Sequence, residues 1–349
     1  LPFALHHIAL MADVHQGYGM PIGGVLAAGD MIIPNAVGVD IGCGVTAGKT
    51  DLEGISTTQI RKIIRRASQV IPMGFKHHRQ PSKWEGFSQM PKSPVLSEEK
   101  ESARYQLATL GGGNHFISIE QGDDGHIWLM VHSGSRNLGK QVADYYNKRA
   151  AFLNSKHEYV PRKYNLAPLP ADSELGQEYL EAMNFCLKFA RMNRELIFRT
   201  FYDLFRETAH SKELIEQFDI HHNYAAEETH FGKKTVLHRK GATFAGEGTL
   251  GVIPGSMGTP SYIVRGLGNS QSFSSCSHGA GRVISRKQAN KQFTKQQADK
   301  AMGNIVFQGW GKDLSEAPMA YKDIEQVIAN QRDLVEPLVK LHPLGVLKG

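Results

Sequence analysis

Glycine is the strongest constraint on what this chain can fold into. Its 36 glycines in 349 residues gather in short blocks that also carry histidine, aspartate, asparagine and serine. These blocks are ADVHQGYGMPIGG at 12–24, VGVDIGCGV at 37–45, TLGGGNHF at 109–116, VHSGSRNLG at 131–139 and SHGAGR at 277–282, with the related DIHHNY at 219–224. Glycine weakens a helix interior by ~1 kcal/mol relative to alanine and readily adopts backbone angles closed to other residues, so such blocks predict turns and loops. Between them lie apolar runs of strand length. The first fifty residues therefore read as short strands, such as 7–11, broken by tight turns.

Elsewhere the pattern changes. Ile60, Ile63, Ile64 and Ala67 recur at helical spacing, which predicts a helix over 57–70 with Arg61, Lys62, Arg65 and Arg66 on its wet face. Residues 76–97, rich in Pro, Ser, Lys and Gln, read as an exposed connection. Two strands, 116–120 and 127–132, flank the turn Gly122-Asp123-Asp124-Gly125, as in a hairpin. A mainly helical insertion is expected over 138–217, interrupted near Pro161–Pro170, with Phe185, Phe189 and Phe198 facing the core. Short strands return over 219–284, and the sum is an α+β chain, read as a single catalytic domain over 1–349.

Composition excludes some classes and only permits others. No apolar run approaches the ~20 residues of a membrane helix, and no basic-then-apolar leader is seen, so the expected location is the cytoplasm. The net charge of +6 allows attraction to polyanions, although an ordinary basic surface would look the same. Cys43, Cys186 and Cys276 form no CxxC pair, as suits a reducing compartment.

The chemistry concentrates in the blocks. Of 16 histidines, six (His15, His115, His132, His221, His222 and His278) sit in them. A lone histidine there could equally cap a strand, but His115, His132, His222 and His278 together with Asp40 and Cys43 point to a ligand site, because binding residues collect in turns. Cys43 alone is more often a small buried residue; beside Asp40 it could share a metal. Converging backbone N–H groups cradle phosphates, and HRKGAT at 238–243 and GVIPGSMGTPSYIVRGLG at 251–268 add Arg239, Lys240, Ser256 and Ser261. No Walker or Rossmann fingerprint appears, and Lys49-Thr50-Asp51 runs into Leu52, so the lysine motif KxDG of other nucleotidyltransferases is missing.

Taken in order, these blocks, with MAYKDI at 319–324 and the terminal VLKG, resemble the RtcB-type RNA-splicing ligases over 13–349, as a compact bacterial-type member. The resemblance implies a family-specific fold, two manganese ions per chain, GTP, and joining of RNA 3′-phosphate or 2′,3′-cyclic phosphate ends to 5′-hydroxyl ends in RNA repair or tRNA splicing. It assigns Asp40, Cys43 and His115 to one metal and Cys43, His132 and His222 to the other, Cys43 bridging, and His278 as the residue that takes GMP. Nucleotide contacts would fall on Asn114, His222, Asn223, Pro254, Gly255, Ser256, Met257, Ser261, His278, Gly279, Ala280, Gly281 and Lys348, with Arg239, Lys240 and Arg282 adding positive charge. Asp13 and His15 lie in a family motif without a firm role, and His221, with no ligand role, is expected to be supporting or incidental.

One departure stands out. Family members carry an acidic residue where this chain has Ser118, three after His115. Alternation points Glu120 to the same strand face one step further on, not an obvious replacement, so weakened base recognition is expected and Ser118→Glu is expected to restore it. Two rivals follow: a metal-dependent cyclic phosphodiesterase that does not join ends, and a non-catalytic RNA-binding paralogue.

Overall fold

The computed structural model describes residues 1–157 and 159–349. Its centre is a seven-stranded sheet in the spatial order Leu250–Ile253, Ser261–Gly266, Val335–Lys348, Phe116–Gly122, Ile127–Ser133, Gly44–Thr50 and Leu214–His221. The two central strands are the expected hairpin, with Phe116 opposite His132 and Ser118 opposite Met130. Strand alternation then divides the residues between two faces. Ile117, Ile119, Leu129 and Val131 point into a core closed by the helices Thr57–Val70 and Glu174–Ala209. Phe116, Ser118 and Glu120, with Met130 and His132, take the opposite face, toward the site.

The helix Thr57–Val70 has the predicted bounds. Ser56 and Gln59 close a capping box at its start, and Ile60, Ile63, Ile64 and Ala67 are buried as their spacing requires. A second sheet, ordered Ile8–His15, Ile22–Ala27, Lys233–Lys240 and Asn223–His230, carries the first glycine block against the HRKG segment.

Three expectations change. The insertion is two helices, Arg136–His157 and Glu174–Ala209, broken around Pro161–Pro170 as expected, but the stretch 214–217 is strand: His210 takes a left-handed conformation that ends the helix, and Leu214–His221 pairs with Gly44–Thr50. Residues 76–97 are not simply an exposed connection, since Trp84 and Phe87 pack on Phe185 and Phe189. A helix, Pro94–Gln106, begins inside that segment with proline in its first turn, where the missing N–H costs nothing. Its weak apolar stripe hid it. Phe185, Phe189 and Phe198 are core, as expected.

Polar residues of the long helix hold the site loops in place. Arg194, fully buried, makes a two-pronged pair with Asp219 at 2.6 and 2.7 Å and donates to the carbonyls of Gly42 (2.7 Å) and Ser133 (3.0 Å). Asn193 donates to the carbonyls of Thr109 and Gly134 and to Ser133 Oγ. One helical turn thus ties three of the glycine blocks together. Arg194→Met leaves Asp219 and two carbonyls unpaired, and is expected to destabilise the protein by ~3–5 kcal/mol in denaturant titration. A loss under ~1 kcal/mol would mean that the clamp contributes little.

Candidate active site

Asp40 and Cys43 lie in the turn before the strand Gly44–Thr50, His115 just before Phe116–Gly122, His132 near the end of Ile127–Ser133, and His222 between Leu214–His221 and Asn223–His230. The sheet brings them together. Cys43 Sγ lies 3.4 Å from His115 Nε2 and 3.2 Å from His132 Nε2, and His115 Nε2 lies 2.9 Å from Asp40 Oδ2. Asp40, Cys43 and His115 form one group whose ligand atoms lie within 4.8 Å of one another; Cys43, His132 and His222 form another.

The donor set suits cations. His115 Nδ1 faces the Leu110 carbonyl at 2.9 Å and His132 Nδ1 the Asn114 carbonyl at 3.1 Å. A carbonyl only accepts, so both Nδ1 atoms carry the proton and both Nε2 lone pairs point at Cys43, as in metal-binding histidines oriented by a second hydrogen bond. Burial, then the neighbouring imidazoles, holds His132 and His222 well below the usual histidine range and so neutral. The buried Nδ1 of His222 has no hydrogen-bond partner among the described residues. One carboxylate, one thiol and three imidazoles therefore fit two cations sharing Cys43. Gly134 permits this packing, because a Cβ there would collide with the Asp40 carboxylate.

His278 stands beside this group, its ring centroid 4.8 Å from that of His222. Its Nδ1 lies 2.6 Å from Oδ2 of Asp13, which is fully buried and also accepts from the His278 backbone N–H at 3.2 Å. The ring contact is close but not aligned as a hydrogen bond. Gly281 is required here, having φ of 75° and no room for a Cβ against the Asp13 carbonyl. Asp13 and His278 are 265 residues apart, so their pairing could not be read from spacing.

All of this opens into one cavity of about 680 Å³. Every residue named above for metal or nucleotide lines it except His115, which lies behind Asp40 and Cys43. His15 also lines it, its ring stacked 6.3 Å from His278, whereas His221 faces a different pocket and packs against Tyr224. Among the three cations expected to add charge, Arg239 is not in the lining: it is buried in a pair with Glu228 and donates to Tyr224, Ser275 and the Phe273 carbonyl. Lys240 does line the cavity, its Nζ bound to the Tyr18 and Asn35 carbonyls, with burial lowering it to about 8. Arg282 is joined there by Arg286 and Lys348 around the buried Glu316, a cluster the sequence did not disclose.

Glu120 is the other residue missed. It is 3% exposed, accepts a hydrogen bond from Ser118 Oγ at 2.8 Å, and lines the same cavity. The acid one step further along the strand is thus in direct contact with Ser118. Burial raises Glu120 to about 8 despite the hydroxyls of Ser118 and Ser261. An acid raised in the folded state contributes stability below its ordinary value near 4.5 and loses it as pH climbs to about 8. Glu120→Gln should therefore melt higher than the parent protein at pH 7, by roughly 3 kcal/mol, with the gap closing by pH 4.5. Equal pH profiles would show that the carboxyl is hydrated.

The family model described as "tRNA-splicing ligase RtcB" matches residues 1–91 and 83–349, the break falling within the segment before LGGGNHF. The RNA-splicing ligase RtcB of Escherichia coli K12 is 37% identical over 380 aligned positions covering all of this chain and 91% of that protein. The tRNA-splicing ligase RtcB of Thermococcus kodakarensis is 31% identical over 431 positions, covering all of this chain and 89% of its own length. With the motifs, the fold and whole-length similarity in agreement, the chain belongs to the RtcB family.

Proposed function

We propose that this chain is an RNA ligase joining RNA 3′-phosphate or 2′,3′-cyclic phosphate ends to 5′-hydroxyl ends, with GTP as the energy source and two manganese ions, in cytoplasmic RNA repair or tRNA splicing. The whole chain would act as one catalytic domain. The observation that carries the reading is the position of His278, oriented by Asp13 and sharing a cavity with two cation-competent groups.

With Nδ1 turned to Asp13, Nε2 of His278 is the free nitrogen. It attacks the α-phosphorus of GTP; a P–N bond forms, the bond to the β-phosphate oxygen breaks, and pyrophosphate leaves. Asp13 keeps the ring in the correct tautomer and balances its positive charge while the bond lasts. A cyclic RNA end is first opened by water to a 3′-phosphate. An oxygen of that phosphate then attacks the GMP phosphorus and frees His278. The 5′-hydroxyl of the second strand attacks the activated 3′-phosphate, giving a phosphodiester and GMP, its proton passing to solvent. Cations held by Asp40, Cys43, His115, His132 and His222 would supply charge neutralisation and a more acidic attacking hydroxyl. Arg282 and Lys348 add fixed positive charge beside the cavity.

Labelled GTP and manganese should yield a protein-bound GMP, and an RNA ending in 3′-phosphate should be joined to one beginning in 5′-hydroxyl. Opening of cyclic ends without joining would indicate a phosphodiesterase. RNA binding with neither adduct nor joining would indicate a non-catalytic member.

A further inference from the structure

One carboxyl in the cavity is left unused by the chemistry above. Asp40 belongs to the cation-competent group, and Glu316 is met by Arg282, Arg286 and Lys348. Glu120 is paired with no cation among the described residues. Ser118 holds its Oε1 at 2.8 Å and Ser261 reaches the same oxygen at 3.5 Å, while Oε2 is buried with no partner. An unsatisfied buried acceptor is costly, and an acid kept beside an open cavity in that state is ready for donors brought by a ligand.

We propose that Glu120 is the specificity-determining residue of the nucleotide cavity, its carboxyl giving up its proton as the ligand's donors reach it and then accepting the adjacent N1–H and 2-amino donors of guanine, and that Ser118 is the positioning residue that fixes its orientation. The inference rests on the reading that a nucleotide binds beside His278. The base follows from donor geometry. Two parallel acceptors need two adjacent donors, and guanine alone among the common bases presents them; adenine and cytosine set a ring acceptor next to their amine, and uracil flanks one donor with two carbonyls. Residues i and i+2 of a strand share a face, so Ser118 and Glu120 stand on the same cavity wall, with the Ser118 hydroxyl supporting the carboxyl.

Calorimetric titration with GMP, IMP and AMP tests this without turnover, because none carries a pyrophosphate leaving group and IMP lacks only the 2-amino donor. The parent protein should bind GMP more tightly than IMP, and IMP more tightly than AMP. Glu120→Gln should weaken GMP by roughly ten- to hundredfold and flatten the ranking while leaving AMP unchanged. Ser118→Ala should fall between. Ser118→Glu, which sets a second carboxyl against the first, should weaken GMP rather than strengthen it. An unchanged GMP-to-AMP ratio in folded Glu120→Gln overturns the assignment, as does IMP binding to the parent protein as tightly as GMP. Failure of the parent protein to bind any of the three overturns the nucleotide reading itself.

Discussion

Replacing His278 by alanine is expected to abolish the covalent GMP adduct and RNA joining together, while leaving opening of cyclic ends measurable. The expectation comes from the arrangement of the ring. Its Nδ1 faces Asp13 Oδ2 at 2.6 Å, which leaves Nε2 as the nitrogen able to attack. An adduct on nitrogen is a phosphoramidate, labile in acid and stable in alkali, and the protein-bound label should show that behaviour in the parent protein. Asp13→Asn supplies the finer test. An amide can turn its NH₂ toward Nδ1 and move the ring proton to Nε2, removing the nucleophilic lone pair without deleting the imidazole. Losses of ~10³-fold or more accompany such tautomer errors elsewhere. Adduct formation should fall by that order in Asp13→Asn with GMP affinity little changed. An adduct that survives in His278→Ala would assign the nucleophile to another residue.

Sequence reasoning reached the parts of this molecule that local rules determine. The helix Thr57–Val70 has its own cap and apolar stripe, and the hairpin Phe116–Gly122 with Ile127–Ser133 has its own turn, so neither needed distant information. Pro94–Gln106 was hidden because its stripe is faint and its partners are helices remote in sequence. The start of the strand, residues 214–217, reads as helix because the end of the preceding helix depends on a single left-handed residue, His210. The site divides similarly. Histidines in glycine-rich turns announced themselves, and the sheet brings His115, His132, His222 and His278 together beside Cys43. Arg239 looked available for phosphate because its neighbours are glycine-rich, yet tertiary packing uses every donor direction on Glu228, Tyr224, Ser275 and the Phe273 carbonyl. Glu120 looked like no obvious replacement because alternation specifies a face but not which side chains meet upon it.

Cys43→Ser should cost both metal positions at once. The sulfur is common to the two groups, with His115 Nε2 at 3.4 Å and His132 Nε2 at 3.2 Å. A neutral hydroxyl at that point offers neither negative charge nor a soft donor. Loss of a hydrogen bond to a metal ligand alone weakens metal sites by ~10–100-fold, so loss of a shared ligand should exceed that at each position. His132→Ala, which touches one group, should spare the other. Metal content after desalting is the measurement: near zero for Cys43→Ser and about one equivalent for His132→Ala, against two for the parent protein. Two full equivalents in Cys43→Ser would refute the bridge. Metal identity is a separate question, because a thiolate with three imidazoles favours zinc over manganese by intrinsic affinity, and only Asp40 offers the oxygen that manganese prefers. Zinc should therefore displace manganese in direct competition, and adduct formation at His278 should be restored by manganese after zinc is chelated. Selectivity in the cell would then rest on metal supply rather than on these five side chains.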